Sequence, residues 1–155
     1  MGWNLVAGAA AGAVGTIALD ITTYLDMAVR GRPASSIPSD AAGKLAELAG
    51  LDLGDDKETA GNRRSGLGAL LGYAAGVGAG VAYGALRSRV RVPKPVAAVG
   101  LGAAAMAGSD VPLVALGLTD PREWGAAGWA ADIVPHLVYG FFTALAYEGF
   151  AGAGS

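Results

Sequence analysis

Four long apolar stretches, separated by shorter polar segments, account for most of the chain. They cover residues 3–29, 66–86, 95–118 and 126–148. A helix needs roughly 20 predominantly apolar residues to cross the hydrocarbon core of a membrane, and each stretch reaches that length. The pattern therefore predicts an all-α, polytopic membrane protein, in which a four-transmembrane-helix bundle forms a single membrane domain over residues 1–155.

The polar segments between the stretches indicate how the helices follow one another. Residues 87–94 and 119–125 are short enough to predict tight turns between antiparallel neighbours, and only residues 30–65 form a long connection. Antiparallel order brings the end of the first span, the end of the third and the start of the fourth to the same membrane face. The chain termini and segment 87–94 then share the other face.

The long connection contains a second, shorter periodic pattern. Ser39 is the predicted N-cap of an amphipathic helix over residues 40–49, which Gly50 ends. Apolar side chains share one face of this helix, which is typical of a helix that lies at the membrane interface or over the bundle. The acidic residues from Asp52 to Glu58 predict a solvated turn.

Composition favours a membrane protein over an alanine-rich soluble bundle. Hydrophobic residues make up 53% of the chain and charged residues 15%, whereas soluble domains carry about 25% charged residues. The second span is rich in glycine, which costs about 1 kcal/mol per residue in a helix exposed to water but is tolerated in lipid. The segment Met1–Asn4 lacks the basic start of a signal peptide, so we expect the first helix to be retained.

Glycine recurs every fourth residue along the second span, a pattern known as a glycine zipper. Small residues at this spacing let another helix backbone approach closely. Gly8 and Gly12 in the first span and Gly100 and Gly108 in the third offer similar flat surfaces. The pattern leaves open whether the partner is a helix of the same chain, a second copy in a homo-oligomer, or another membrane subunit. The stripe consists of Gly68, Gly72, Gly76, Gly80 and Gly84.

Charge and motif content exclude several classes of function. The net charge is −2 and the basic residues form no extended stripe, so nucleic acid is not an expected partner. The chain has no cysteine, which excludes disulfides and thiolate metal sites. Neither a dinucleotide fingerprint nor a Walker or H-E-x-x-H motif occurs, so no cofactor and no metal ion is predicted. Lys and Arg occur at both faces and do not select an orientation.

Ionisable residues inside the spans are the main candidates for function. Three of them, Asp20, Asp110 and Asp132, lie roughly 10–14 Å below the same predicted membrane face. The fourth, His136, lies one helical turn deeper. Each charge at the centre of a span costs about 2.5–3.5 kcal/mol on insertion scales, so such groups are tolerated only where they face one another or water. The sequence therefore predicts one polar layer inside the bundle.

Neighbouring polar side chains extend this layer. Asp132 and His136 are four residues apart and share a helical face, and Tyr139, Ser109 and Thr16 lie close to the same depth. The layer suits a proton relay, a cation site or a substrate pocket. The alternative is that the Asp132–His136 pair only fixes helix register. A serine–histidine hydrolase is a weaker interpretation, because no G-x-S-x-G motif accompanies the serine and no enzyme activity is expected.

The last third of the chain resembles the C-terminal part of the YagU-type bacterial inner-membrane proteins. The resemblance implies a multi-pass protein of the bacterial inner membrane and draws attention to Asp132 and His136, but it implies no substrate. The matching residues are Pro112-Leu113, Gly117-Leu118-Thr119, Pro121, Trp124, Asp132-Ile133 and His136-Leu137-Val138-Tyr139.

Two functions follow from these patterns as hypotheses. In the first, the polar layer takes part in the movement of protons or small solutes across the membrane. In the second, the protein is a structural or accessory membrane subunit that docks through the glycine stripe. The lipid bilayer is the expected partner in both.

Overall fold

The structure is a computed structural model that describes residues 2–152, and helix predominates throughout it. Met1 and residues 153–155, the ends of the predicted domain 1–155, lie outside the described residues. No strand occurs between residues 2 and 152, so the predicted all-α class is confirmed. The elements are α1 (Gly2–Arg30), α2 (Ile37–Leu48), α3 (Lys57–Arg87), α4 (Lys94–Ala115) and α5 (Ala126–Gly152), with a 3-10 turn at Pro121–Glu123 before α5.

Four helices, α1, α3, α4 and α5, are long and apolar enough to cross a membrane. Their large apolar side chains point mostly outward: Val29 is 85% exposed, and Leu70 and Val111 are 65% exposed. The buried residues are mainly small ones and tyrosines, such as Ala7, Ala11 and Tyr139. A surface this apolar would be unfavourable in water and suits contact with lipid. The chain is a multi-pass membrane protein with four candidate spans.

The spans pack in the order α3–α1–α5–α4. Helix α1 lies between α3 and α5, and α4 packs on the other side of α5, whereas the consecutive helices α3 and α4 share few contacts. Tyrosines also link α5 to α3, because the rings of Tyr83 and Tyr147 meet edge to face with centroids 5.1 Å apart. Helices α1 and α5 are therefore the two inner elements of this order, and α5 carries the most buried side chain of the bundle's tyrosines, Tyr139.

Glycine allows the close approach of α1 to α3. A Cβ atom on Gly80 would lie under 3 Å from backbone atoms of Gly8 and Gly12, and one on Gly84 would meet the carbonyl of Asn4 in the same way. Gly76 faces the side chain of Thr16. Three of the five stripe glycines therefore contact α1 of the same chain.

The remaining stripe glycines and the third span differ from this pattern. Gly68 lies against the backbone of Pro38 in α2, and Gly72 has open space around it. In the third span the expected small surface at Gly100 and Gly108 also faces open space. A second close crossing that the sequence analysis did not identify joins α4 to α5. It is formed by Gly102, which faces the carbonyl of His136, and Gly140, which faces the carbonyl of Ala98.

The helix predicted in the long connection exists, but its start differs from the prediction. It begins at Ile37, and Ser39 lies inside it rather than capping it. Pro38 falls in the first turn, where a helix needs no N–H donor. The Oγ atom of Ser35 accepts a hydrogen bond from the Ile37 N–H at 3.2 Å. Gly50 follows the C-terminus with φ +67°, as expected for the residue that ends a helix.

Helix α3 begins nine residues earlier than the predicted span, at Lys57 rather than residue 66. The side chain of Asp56 accepts a hydrogen bond from the Thr59 N–H at 2.8 Å and caps the helix. The acidic segment is therefore an exposed turn only up to Asp56, and Glu58 belongs to the first turn of α3. The apolar pattern did not predict this extension, because residues 57–65 are mostly polar and the apolar stretch begins only at residue 66.

Candidate functional site

The residues of the predicted polar layer separate into three groups in the structure. The largest group lies between α4 and α5 and consists of Ser109, Asp110, Asp132 and His136, which we call the acid–histidine cluster. Thr16 and Tyr139 form a second group, and Asp20 belongs to a third. Only the first group brings several ionisable side chains into mutual contact.

His136 is held by Asp132 on its own helix. Its Nδ1 atom lies 3.3 Å from the Asp132 Oδ1 atom and 2.8 Å from the Asp132 backbone carbonyl. The spacing of four residues places both side chains on one helical face, as the sequence analysis expected. The two side chains are 16% and 22% exposed, so the pair is largely but not completely buried. Nδ1 can donate its proton to either oxygen, which leaves Nε2 directed towards α4.

Helix α4 adds a second carboxyl group and a hydroxyl group to this pair. The Asp110 carboxyl group interacts with that of Asp132 across the α4–α5 interface. The Ser109 Oγ atom lies 3.5 Å from both His136 Nε2 and Asp110 Oδ1. The Oδ2 atom of Asp132 is buried and has no hydrogen-bond partner among residues 2–152. The cluster therefore contains a carboxylate oxygen that is free to accept a proton or a donor group.

The cluster concentrates negative charge in a poorly solvated place. Two carboxylates that face each other in a medium of low dielectric constant repel strongly, and a proton held between them, or on the imidazole, relieves that repulsion. Pro112 and Pro135 lie inside α4 and α5 next to these residues. Because proline has no N–H, the carbonyls of Gly108 and Ala131 lose their helical donors and remain available as acceptors.

Thr16 and Tyr139 form a separate group, in which each hydroxyl donates a hydrogen bond to a backbone carbonyl. The Thr16 hydroxyl donates to the Gly12 carbonyl at 2.8 Å, within α1. The Tyr139 hydroxyl donates to the Gly76 carbonyl of α3 at 2.6 Å, and the side chain is only 1% exposed. Both residues were predicted for the polar layer, but in the structure the hydroxyl of Thr16 bonds within α1 and that of Tyr139 joins α5 to α3, so neither lines the acid–histidine cluster.

Asp20 does not join the cluster. It interacts with the hydroxyl of Tyr73 on α3, whereas the acid–histidine cluster lies between α4 and α5. The sequence analysis did not consider Tyr73, although it is one of only two tyrosines in the glycine-rich span 66–86. A tyrosine in such a span was the available signal for a polar contact with a neighbouring helix.

Two enzymatic interpretations find little support in this geometry. No three His, Asp or Glu side chains in the described part of the chain are placed to bind a common metal ion. The order Ser109–His136–Asp132 is that of a hydrolytic triad, but the Ser109 hydroxyl donates to the Met106 carbonyl at 2.8 Å instead. Both helices use their backbone N–H groups internally here, which leaves no donors for an oxyanion.

Charged and aromatic residues mark both ends of the spans. At one end Asp26 pairs with Arg32 at 2.5 Å and with Arg30 at 3.4 Å. Trp124 and Trp129, whose ring centroids are 5.0 Å apart, pack on each other before and within the start of α5. At the other end Arg87 pairs with Glu148 at 2.5 Å, which joins α3 to α5. These pairs were not predicted, because a single sequence does not show which loop charges meet.

No protein-family model, characterised protein or solved structure matches this chain.

Proposed function

We propose that this membrane protein takes part in the movement of protons or small solutes, and that the acid–histidine cluster is its protonatable site. The observation that carries the proposal is the meeting of three ionisable side chains, Asp110, Asp132 and His136, from two spans. The buried Asp132 Oδ2 atom without a partner supports it further, because a purely structural cluster is expected to satisfy its buried oxygens.

Charge cost argues against a role limited to helix register. One carboxylate opposite one imidazole is enough to fix two helices, and here the imidazole and its nearest carboxylate lie on the same helix. Asp110 adds a second acid, which costs about 2.5–3.5 kcal/mol on insertion scales. Apolar residues would join α4 to α5 at lower cost, particularly since Gly102 and Gly140 already allow close packing there. Exchange of a proton gives Asp110 a role that offsets this cost, whereas helix packing alone does not.

A bacterial inner membrane is the location that we propose. The support is the resemblance of residues 112–139 to YagU-type proteins, together with four helices that are able to span a membrane. Asp132 and His136, which carry part of that resemblance, both belong to the acid–histidine cluster.

Proton flux into liposomes that contain the purified protein tests the proposal. We expect the wild type to exceed empty liposomes, and Asp132→Asn and His136→Ala each to reduce flux at least ten-fold, as is usual for loss of a proton-transfer group. Asp26→Asn is the matched control, because it also neutralises an acid near the end of a span but one that is paired with arginine. Flux that is unchanged in both cluster variants, with each still folded, would contradict the proposal.

Asp20→Asn separates the three-residue cluster from the continuous layer that the sequence predicts. If the site is the acid–histidine cluster alone, Asp20→Asn should retain flux, because its contact is Tyr73 on α3. If Asp20→Asn abolishes flux as fully as Asp132→Asn, the layer acts as one path across α1, α5 and α4.

A docking role through the glycine stripe remains the second candidate, and we propose a narrower surface for it. Gly76, Gly80 and Gly84 contact α1, so of the stripe only Gly72 has open space around it. Gly72→Leu is therefore the variant that tests docking to a homo-oligomer or another subunit, whereas Gly76→Leu would disturb the fold. Cross-linking in native membranes should lose a specific product in Gly72→Leu, while proton flux stays unchanged.

A further inference from the structure

The turn between α3 and α4 forms a basic concavity at the end of the bundle that is remote from the acid–histidine cluster. It has a volume of about 410 Å³ and is lined by Arg87, Arg91, Lys94, Glu148 and the intervening Val92 and Pro93. We call it the hairpin pocket. It plays no part in the proposed function and contains none of the residues of the acid–histidine cluster.

Positive charge in the hairpin pocket is only partly compensated. Segment 87–94 carries four basic residues, and Glu148 is the acid that pairs with one of them, Arg87. Arg91 and Lys94 are exposed, and within residues 2–152 no acid lies at ion-pair distance from either. At the other end of the bundle Lys57, Arg63 and Arg64 are also without an ion pair among the described residues, but the four further basic residues there are paired with acids. Examples are the pairs of Arg32 with Asp26 and of Arg122 with Asp120.

Buried polar groups and a helix terminus point into the same region. Arg87 is held half-buried, and its Nη1 atom makes only long contacts of 3.4 Å with the carbonyls of Val90 and Val92. Its Nε atom is buried without a hydrogen-bond partner. Helix α4 begins at Lys94, and no side chain caps its first turn. Because Pro93 and Pro95 have no N–H, the backbone donor that the start of α4 offers to the pocket is that of Lys94, and the helix dipole favours an anion at the same place.

The position of the hairpin pocket along the membrane normal indicates which kind of anion can reach it. The pocket lies where α3 ends and α4 begins, one turn from the edge-to-face pair of Tyr83 and Tyr147. Trp3, whose indole N–H donates to the Phe150 carbonyl at 3.2 Å, lies at the same end of the bundle. Tyrosine and tryptophan are enriched at the level of lipid headgroups. An anion at this depth is a lipid phosphate in preference to a solute from bulk water.

We infer that the hairpin pocket binds the phosphate of an anionic phospholipid headgroup. Arg91 and Lys94 supply the uncompensated charge, Arg87 supplies a guanidinium held by Glu148, and the start of α4 supplies the backbone N–H of Lys94. Basic pockets beside transmembrane helices recognise headgroups through this combination of charge and donors.

Lipid selectivity of the purified full-length protein in mixed micelles tests the inference. Native mass spectrometry measures the affinity for phosphatidylglycerol relative to phosphatidylcholine with the same acyl chains. Each basic residue near a membrane surface contributes about five-fold to such binding, so Arg91→Gln/Lys94→Gln should reduce the preference roughly 25-fold. Lys57→Gln/Arg122→Gln removes two exposed cations at the other end and should leave the preference unchanged. Arg91→Lys/Lys94→Arg keeps both charges and should retain it.

Three results would overturn the inference. One is a wild type without preference for phosphatidylglycerol. Another is an equal loss in the two glutamine double variants, which would mean general electrostatic attraction rather than a site. The third is displacement of the lipid by millimolar inorganic phosphate, which would identify a soluble anion as the ligand. Thermal unfolding of each variant confirms that it is folded before its lipid preference is measured.

Discussion

Individual glycines of α3 differ in what surrounds them, although their spacing is uniform. A Cβ atom on Gly80 would come within 3 Å of backbone atoms of α1, whereas one on Gly72 would meet nothing within 4 Å. Backbone atoms cannot move aside as a flexible side chain can, so the close contact at Gly80 admits no larger residue without separating the helices. Glycine is therefore required for helix packing at Gly80 but not at Gly72.

We predict that Gly80→Ala lowers the free energy of unfolding by about 1–3 kcal/mol, the usual cost of overpacking a close contact. Gly72→Ala is the matched control and should be neutral or slightly stabilising, since alanine favours helix and has room there. Unfolding in sodium dodecyl sulfate, followed by circular dichroism, measures both. Equal effects in the two variants would mean that helix propensity, not contact with α1, governs the stripe.

Tyr139 illustrates a residue whose polar atom has a structural partner. We predict that Tyr139→Phe lowers the free energy of unfolding by about 0.6–1.5 kcal/mol, because it removes the hydrogen bond to the Gly76 carbonyl but keeps the ring. Tyr24→Phe, at a side chain that is 61% exposed, is the control and should have little effect. Proton flux should persist in Tyr139→Phe. Loss of flux at unchanged stability would mean that Tyr139 takes part in proton transfer, as the predicted polar layer implied.

At the scale of elements, the ends of helices depend on single side chains more than on apolar pattern. Helix α3 starts where Asp56 accepts from the Thr59 N–H, nine residues before its apolar stretch begins. This hydrogen bond holds the pKa of Asp56 below its usual value of 3.8. The extension packs on α2, where Gly43 faces Arg64, and just beyond it Gly68 lies against Pro38. The cap thus fixes a part of α3 that supports the long connection.

We predict that Asp56→Ala increases hydrogen exchange at the first turn of α3, whereas Asp56→Asn does not, because asparagine is an equally good N-cap. Protonation should have the effect of the alanine variant. Since the folded-state pKa is lowered, the stabilisation by the carboxylate is fully present above pH 3.8 and is lost as pH falls through the lowered pKa. Exchange measured across this range should change in the wild type and not in Asp56→Asn.

Sequence alone predicts the elements well and their mutual placement poorly. Apolar length identifies all four spans, and the i,i+4 spacing predicts the contact of Asp132 with His136. The lateral order α3–α1–α5–α4 does not follow from the sequence, because antiparallel connections fix the direction of each helix but not its neighbours. This is why Asp20 was expected beside Asp110, although it contacts Tyr73.

At the scale of the molecule, the order of the helices gives the two ends different characters. Segment 87–94 carries uncompensated positive charge, whereas the end with α2 carries paired charges and the exposed acidic turn before α3. Because the chain has no cysteine, single cysteines report the side of the membrane without background.

We predict that Ser88→Cys and Thr59→Cys react with an impermeant maleimide from opposite sides of the membrane. If the hairpin pocket binds anionic lipid of the cytoplasmic leaflet, Ser88→Cys should be protected in intact cells and react only after permeabilisation. Labelling of both cysteines from one side would contradict the four-span arrangement. Labelling of each from both sides would indicate insertion in two orientations.

The length of α3 between its charged ends makes the protein sensitive to the thickness of its membrane. The helix has 31 residues, or about 46 Å, but the part between Arg64 and Arg87 that is free of charge measures only about 33 Å. A thicker bilayer could cover more of α3 only by burying Arg63 and Arg64, and Arg87 sets the opposite boundary. A bilayer of another thickness is matched by tilt of this helix, by snorkelling of its arginines or by local stretching or compression of the lipid, each at a modest cost in free energy. We expect the protein to be favoured in membranes whose acyl chains match the uncharged part of α3 and disfavoured in thicker or thinner ones.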